Sequence, residues 1–165
     1  MSADPLKNTQ VAEAISIAKE TLCKPFEGYA RRLPNGDCHA YPDPGTGAQP
    51  WTIGWGSTGP EVKHNTVWTQ QQAEASLDNH LLHFCAGVLT MSPTLLQEPP
   101  RRLAAIISFA YNCGLRNYRI STLKKRVDAK DWVGASEEIV KWNKAAGRIL
   151  TGLTRRRQAE ARLLK

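Results

Sequence analysis

The chain has 165 residues, 41% of them hydrophobic and 22% charged, the composition of an ordinary globular protein at the length of one domain. Twenty-two Lys and Arg against fifteen Asp and Glu leave a net charge of +7, so a polyanionic partner is expected: nucleic acid, an anionic membrane face, or an acidic polymer such as a bacterial wall. No apolar run reaches the ~18–20 residues that span a membrane, and four scattered cysteines without a CxxC pair (Cys23, Cys38, Cys85, Cys113) argue against zinc and predict reduced thiols.

The opening Met1-Ser2-Ala3-Asp4-Pro5 has neither a basic head nor an apolar stretch, so no secretory signal or anchor is expected there and synthesis is expected in the cytoplasm. Residues 9–24 place Val11, Ala14, Ile15, Ala18 and Leu22 on one helical face. That helix is expected to stop at Pro25. From 26 to 65 Gly and Pro recur too densely for a long helix. Within this stretch Trp51, Ile53 and Trp55 alternate with Thr52, Gly54 and Gly56, the period of a strand with one apolar face. Asn35-Gly36 reads as a hairpin or loop turn.

Thr69-Gln70-Gln71-Gln72 is a capping-box pattern. It opens a helix with Ala73, Leu77, Leu81, Phe84 and Val88 on one face. Ser92-Pro93 and Pro99-Pro100 then break the chain. In the next helix Leu103, Ile106, Ile107, Ala110 and Tyr111 form a stripe, and Ala104, Ala105 and Phe109 leave little polar surface, as in a helix buried at the centre of a domain. Further helices are expected at 121–129, 131–142 and 154–164, the last two opening on N-cap residues. This order predicts an α+β protein of one domain, 1–165. A small β-rich lobe, 26–68, and a larger helical lobe, 1–25 plus 69–165, would have the active-site cleft between them.

Three residues suit one chemistry. Glu27, in Phe26-Glu27-Gly28, follows the first helix beside an aromatic ring, a setting for a general acid. Asp43 sits in the turn Tyr41-Pro42-Asp43-Pro44, where a carboxylate stays solvated. The Thr52 hydroxyl can point away from the core. An acid, a base and a water-holding hydroxyl would serve glycosidic hydrolysis; the plain reading of surface Glu, turn Asp and strand Thr stands beside it. Asp37, Cys38 and His39 are too few in one short loop for a metal site, and His64, His80 and His83 read as solvated or hydrogen-bonded. The five tryptophans read mainly as core, with one available to stack on sugar. Arg155-Arg156-Arg157 reads equally as a solvated face or as a group awaiting a partner or ion pair.

Phe26-Glu27-Gly28-Tyr29, Ala40-Tyr41-Pro42-Asp43-Pro44-Gly45-Thr46-Gly47 and Trp51-Thr52-Ile53-Gly54-Trp55-Gly56-Ser57-Thr58 resemble the active-site region of phage-type lysozymes, the endolysins of glycoside hydrolase family 24. The similarity continues through Trp68-Thr69-Gln70-Gln71-Gln72-Ala73-Glu74, Ile107-Ser108-Phe109-Ala110-Tyr111-Asn112-Cys113-Gly114, Ser121-Thr122-Leu123 and the segment from Gly152-Leu153 to Ala159-Glu160. The resemblance implies a lysozyme-like fold and hydrolysis of the β-1,4 bond between N-acetylmuramic acid and N-acetylglucosamine in peptidoglycan. It implies Glu27 as general acid, Asp43 with Thr52 as the group that positions and activates water, and Tyr41 and Asn112 as substrate-binding residues. One of Arg155–Arg157 would lie near Glu27. An inverting reaction would need the carboxyl groups roughly 6.5–9.5 Å apart.

The chain also departs from that pattern. Fifteen residues separate Glu27 from Asp43 and eight separate Asp43 from Thr52, more than is usual in the family. These excesses fit an inserted loop at 33–39 and a longer turn at 44–50, growth that loops tolerate because closure entropy rises slowly with length. Asp37, inside the insertion, therefore rivals Asp43, although only Asp43 carries the family's local context. Ser57 stands where the family often has His, so a His–carboxylate pair found in some members is expected to be absent. The expected partner is peptidoglycan, with no nucleic acid, no stable membrane insertion, no metal, no cofactor and a monomeric state. Action on the wall in the periplasm would follow holin-type release. The competing readings are a lytic transglycosylase, which needs the Glu but no water-activating Asp, a basic nucleic-acid-binding protein, and a wall-binding protein without catalysis.

Overall fold

The computed structural model describes residues 8–44 and 46–165. Residues 1–7, on which the expectation about a leader rests, lie outside that range, as does Gly45. Asn8 caps α1 (Thr9–Ile17), its side-chain oxygen accepting the Gln10 N–H at 3.0 Å. The helical path does not stop at Pro25. It widens into a π-helical turn over Ala18–Cys23 and continues as α2 (Lys24–Glu27), with Pro25 in the first turn of α2. In a regular helix the proline ring collides with the carbonyl four residues back, and a widened turn moves that carbonyl aside.

The chain divides into two compact units, 23–80 and 1–22 with 81–165. In the first, β1 (Cys38–His39) pairs antiparallel with β2 (Val67–Trp68), Cys38 opposite Trp68. Isolated bridges join Arg32 to Cys38, Tyr41 to Thr52 and Ile53 to Ser57. The Asn35-Gly36 turn is present, closed by the Gly36 N–H on the Leu33 carbonyl at 2.9 Å. The alternation at 51–55 makes no strand: Ile53, Gly54 and Trp55 are all buried. Gly54 (φ 62°) and Gly56 (φ 85°) turn the chain out of the extended region, which glycine alone does at no steric cost.

The capping box forms as the sequence predicts. Gln72 Nα–H donates to Thr69 Oγ1 at 3.1 Å and Thr69 Nα–H donates to Gln72 Oε1 at 2.8 Å, satisfying two orphan donors at the start of α3 (Gln70–Met91). Ala73, Leu77, Leu81 and Val88 are buried, and Cys85 rather than Phe84 takes the remaining place in the stripe. Phe84 is half-buried, edge-on to Tyr111 at 5.6 Å between ring centroids.

The second unit is built on α4 (Pro100–Cys113), in which every residue from Leu103 to Ala110 is buried. Full burial of each large apolar side chain there contributes roughly 1.5–3 kcal/mol. Both α1 and α8 (Thr151–Leu164) pack on α4. A 3₁₀ turn at Pro93–Gln97 precedes it, and α5 (Leu115–Ile120), α6 (Thr122–Asp128) and α7 (Trp132–Ile139) follow. Ser121 caps α6 and Asp131 caps α7 through side-chain bonds to Lys124 N–H (3.0 Å) and Gly134 N–H (2.9 Å). A two-residue hairpin, β3 (Lys144–Ala145) with β4 (Arg148–Ile149), then leads into α8. Thr154 does not cap α8. The helix has already begun at Thr151, and the Thr154 hydroxyl donates back to the Leu150 carbonyl at 3.1 Å. Among the described residues the protein is a mixed, helix-rich α+β molecule with two small antiparallel sheets.

Candidate active site

Glu27 is the last residue of α2, and Gly28 ends the helix with φ 71° while its N–H still bonds the Lys24 carbonyl at 3.0 Å. A side chain at Gly28 would meet open space but would be strained by that φ. The chain therefore leaves the helix abruptly at the residue carrying the carboxyl. Aromatic and ionic contacts hold the residues that flank it in the chain. Tyr29 packs on Trp55 with ring centroids 4.6 Å apart, Lys24 Nζ lies 4.8 Å above the Trp55 ring, and Lys24 pairs with Glu74 of α3.

Tyr41 and Thr52 exchange both backbone hydrogen bonds at 2.9 Å, so their side chains lie on the same face of the paired segment. Asp43 follows two residues after Tyr41, and its backbone closes the loop beyond it. The Asp43 N–H donates to the Ala48 carbonyl (3.0 Å), and the Asp43 carbonyl accepts from Thr46 (3.2 Å) and Gly47 (2.7 Å). Thr46 Oγ1 stiffens that loop by donating to the Gln49 carbonyl at 2.8 Å. Burial, together with the charge of Glu27, pushes the Tyr41 hydroxyl above its ordinary pKa. Glu27 is thus within electrostatic reach of Tyr41, and Glu27, Tyr41, Asp43 and Thr52 all belong to the 23–80 unit.

Asp37 has another occupation. Its carboxylate accepts from Asn35 Nδ2 at 3.0 Å and its N–H donates to Asn35 Oδ1 at 3.0 Å, so it braces the hairpin turn. Its charge acts on Tyr29 rather than Tyr41, adding to the burial that raises the Tyr29 hydroxyl. Ser57, in the place of the family's His, is buried and shares a hydrogen bond with Ser76 of α3 at 2.9 Å. Among the described residues no group of three or more His, Cys, Asp and Glu assembles as a metal site, and none of the four cysteines is joined in a disulfide.

Asn112 belongs to the other unit. It is exposed at the end of α4 and lines a cavity of about 460 Å³ with Trp142, Leu150 and Leu153. Beneath it lies an ionic group that sequence reasoning missed. Arg156, Arg157 and Glu160 are 2%, 0% and 0% exposed, which overturns the solvated reading for two of the three arginines. Arg157 Nε lies 2.7 Å and Arg156 Nε 3.4 Å from the Glu160 carboxylate, which also accepts from Ser108 Oγ at 2.7 Å. Burial holds the Glu160 carboxyl above its ordinary pKa, and the two guanidiniums offset only part of that rise. Arg157 also stacks over Phe109 and donates to Cys113 Sγ. Spacings of three and four residues on a helix were the available signal for this group. Only Arg155 stays exposed.

One unit with short antiparallel pairings and another centred on one buried helix make up the element set of a lysozyme-like α+β fold. The chain belongs to the phage lysozyme family, whose model matches residues 26–160. It is 33% identical over 149 residues to the endolysin of Bacillus phage B103, covering 90% of this chain and 53% of that one. It is 37% identical over 119 residues to the endolysin of Acyrthosiphon pisum secondary endosymbiont phage 1, covering 70% and 80%. The chain thus spans about half the length of the Bacillus phage relative. Its fold superimposes on the endolysin from Escherichia coli O157:H7 phage FAHEc1 with a TM-score of 0.71 at 28% identity, covering 92% of this chain and 90% of that one.

Proposed function

We propose that this protein is an endolysin-type muramidase that hydrolyses the β-1,4 bond between N-acetylmuramic acid and N-acetylglucosamine in peptidoglycan. Glu27 donates its proton to the glycosidic oxygen as the bond to the muramic acid anomeric carbon breaks. Asp43 takes a proton from the attacking water, whose oxygen Thr52 holds, and the hydroxyl adds to that carbon. Tyr41 and Asn112 contact the glycan. The observation that supports the reading is the electrostatic reach of Glu27 to Tyr41, whose backbone pairs with Thr52 and which precedes Asp43 by two residues. The whole chain, 1–165, serves as one catalytic domain without cofactor, acting as a monomer. The excess of positive charge draws it to the anionic wall by long-range, salt-sensitive attraction. Among the described residues no helix is long and apolar enough to cross a membrane, and access to the wall is assigned to a holin-type route.

The test is turbidity loss of outer-membrane-permeabilised Gram-negative cells with the wild type and Glu27→Gln. Removing the general acid lowers the rate by about 10²-fold or more, while the circular dichroism spectrum stays native. Undiminished lysis by the variant overturns the assignment. Reducing-end muramic acid among the products marks hydrolysis, and a 1,6-anhydro sugar would mark the transglycosylase instead.

A further inference from the structure

One cavity of the 23–80 unit has no part in the proposed chemistry. It encloses about 490 Å³ between residues 49–51 and 58–64, within the range of roughly 300–1,000 Å³ of small-molecule sites. Trp51 forms one wall. Trp51 adjoins Thr52 in the chain, yet none of Glu27, Tyr41, Asp43 and Thr52 lines this cavity. Its ring is half-buried and stands 6.0 Å from the His64 ring, centroid to centroid, at 60°. Lys63 and His64 add basic nitrogens to the lining, and Gln49 and Thr58 add neutral polar groups.

The walls are held in place. Val62 is 5% exposed and its N–H bonds the Gly59 carbonyl at 3.0 Å. The Lys63 N–H donates to Thr66 Oγ1 at 2.8 Å, and the Thr66 N–H donates to the Lys63 carbonyl at 3.1 Å. Glu61, the adjacent acid in the chain, folds over Gly59 and lines a neighbouring cavity with Trp68 and Gln72. Lys63 and His64 are therefore the only titratable side chains lining this one among the described residues.

We propose that this cavity is a second carbohydrate site, distinct from the catalytic groups, that takes a pyranose bearing a carboxylate. An amphipathic aromatic face suits the C–H face of a sugar ring, and a lysine ammonium beside a histidine suits a carboxylate substituent. Resting on the muramidase reading, the ligand class is the lactyl-substituted amino sugar of the wall, bound beside the residue that precedes Thr52. The site holds the enzyme to the polymer between cleavages.

The test is titration of the full ¹⁵N-labelled chain with N-acetylmuramic acid, N-acetylglucosamine and acetate, following the Trp51 indole N–H resonance, assigned by its loss in Trp51→Phe. N-acetylmuramic acid should shift it saturably and bind about 2- to 5-fold more tightly than N-acetylglucosamine, the factor a partly exposed charge pair supplies. Lys63→Ser, a change at an exposed position, should abolish that preference. It should also lower the fraction of the Glu27→Gln chain that sediments with purified sacculi by a similar factor. An unmoved Trp51 resonance, equal binding of the two sugars, a preference that survives Lys63→Ser, or an equal shift by acetate overturns the proposal. None of these readouts needs turnover, so failure of the Glu27→Gln lysis test removes the muramidase reading while leaving this result intact.

Discussion

The buried Arg156–Arg157–Glu160 group sets two cations against one anion, so its members are not equivalent. Glu160→Gln keeps shape and removes the only negative charge, leaving two guanidiniums in a dry interior where the carboxylate had lain 2.7 Å and 3.4 Å from them. Breaking a buried pair from one side costs about 3–5 kcal/mol. The scale agrees with about 4 kcal/mol for unit charges roughly 4 Å apart at an effective dielectric of ~20. For a chain of this length each kcal/mol lowers Tm by roughly 2–4 °C, giving a fall of about 6–20 °C. Arg157→Met leaves Arg156 and Glu160 as a neutral pair and costs less, although it also removes the contacts to Phe109 and Cys113. Thermal unfolding followed by circular dichroism at pH 7 measures both. If Glu160→Gln lies within about 1 kcal/mol of wild type, burial has outweighed the guanidiniums and kept the carboxyl protonated, which refutes the charge-balance argument. An Arg157→Met variant less stable than Glu160→Gln refutes it equally.

Asp43→Asn should suppress lysis of permeabilised cells nearly as far as Glu27→Gln, by about 10²-fold or more. Asp37→Asn should keep activity within a few-fold, since its carboxylate braces the Asn35 turn; the reverse result would move the base to Asp37. Burial pushes the Cys85 thiol up to about 11 from an ordinary 9.0. A raised folded-state value means this group's contribution is fully present below pH 9 and is lost as pH rises through 11. Denaturant titrations across that window should show a steeper loss of stability in wild type than in Cys85→Ala, and parallel curves would contradict the burial of that thiol.

Local chemistry was the most legible part of the fold. Thr69 and Gln72 form their capping box, and Asp131 caps its helix, because each cap needs only residues within one turn, whereas Thr154, read as a cap, lies inside α8. The stripe of α4 was equally plain, since eight consecutive small or apolar positions leave no face for water. The readings that failed depended on neighbours. Pro25 ends a helix unless the preceding turn widens, and the π turn at Ala18–Cys23 has no signature in composition. Trp51, Ile53 and Trp55 alternate like a strand, yet a strand needs a partner along its length, and positive φ at Gly54 and Gly56 leaves only single bridges. The Lys144–Ile149 hairpin is exposed and lacks the β-branched alternation that would announce it.

The candidate site divides along the same line. By themselves the residue strings around Glu27, Asp43 and Thr52 determined the family and nominated the catalytic carboxyl groups, because those strings encode sharp local geometry: a helix end with glycine after it, a turn, a bridged segment. Asp37 bonds Asn35, and Asp43 closes its loop, through contacts within about five residues. Tertiary structure alone decided that two of three adjacent arginines are buried on Glu160 and the third is not. A one-dimensional pattern states which groups can pair. The desolvation that makes a pairing obligatory exists only once other elements have closed over it.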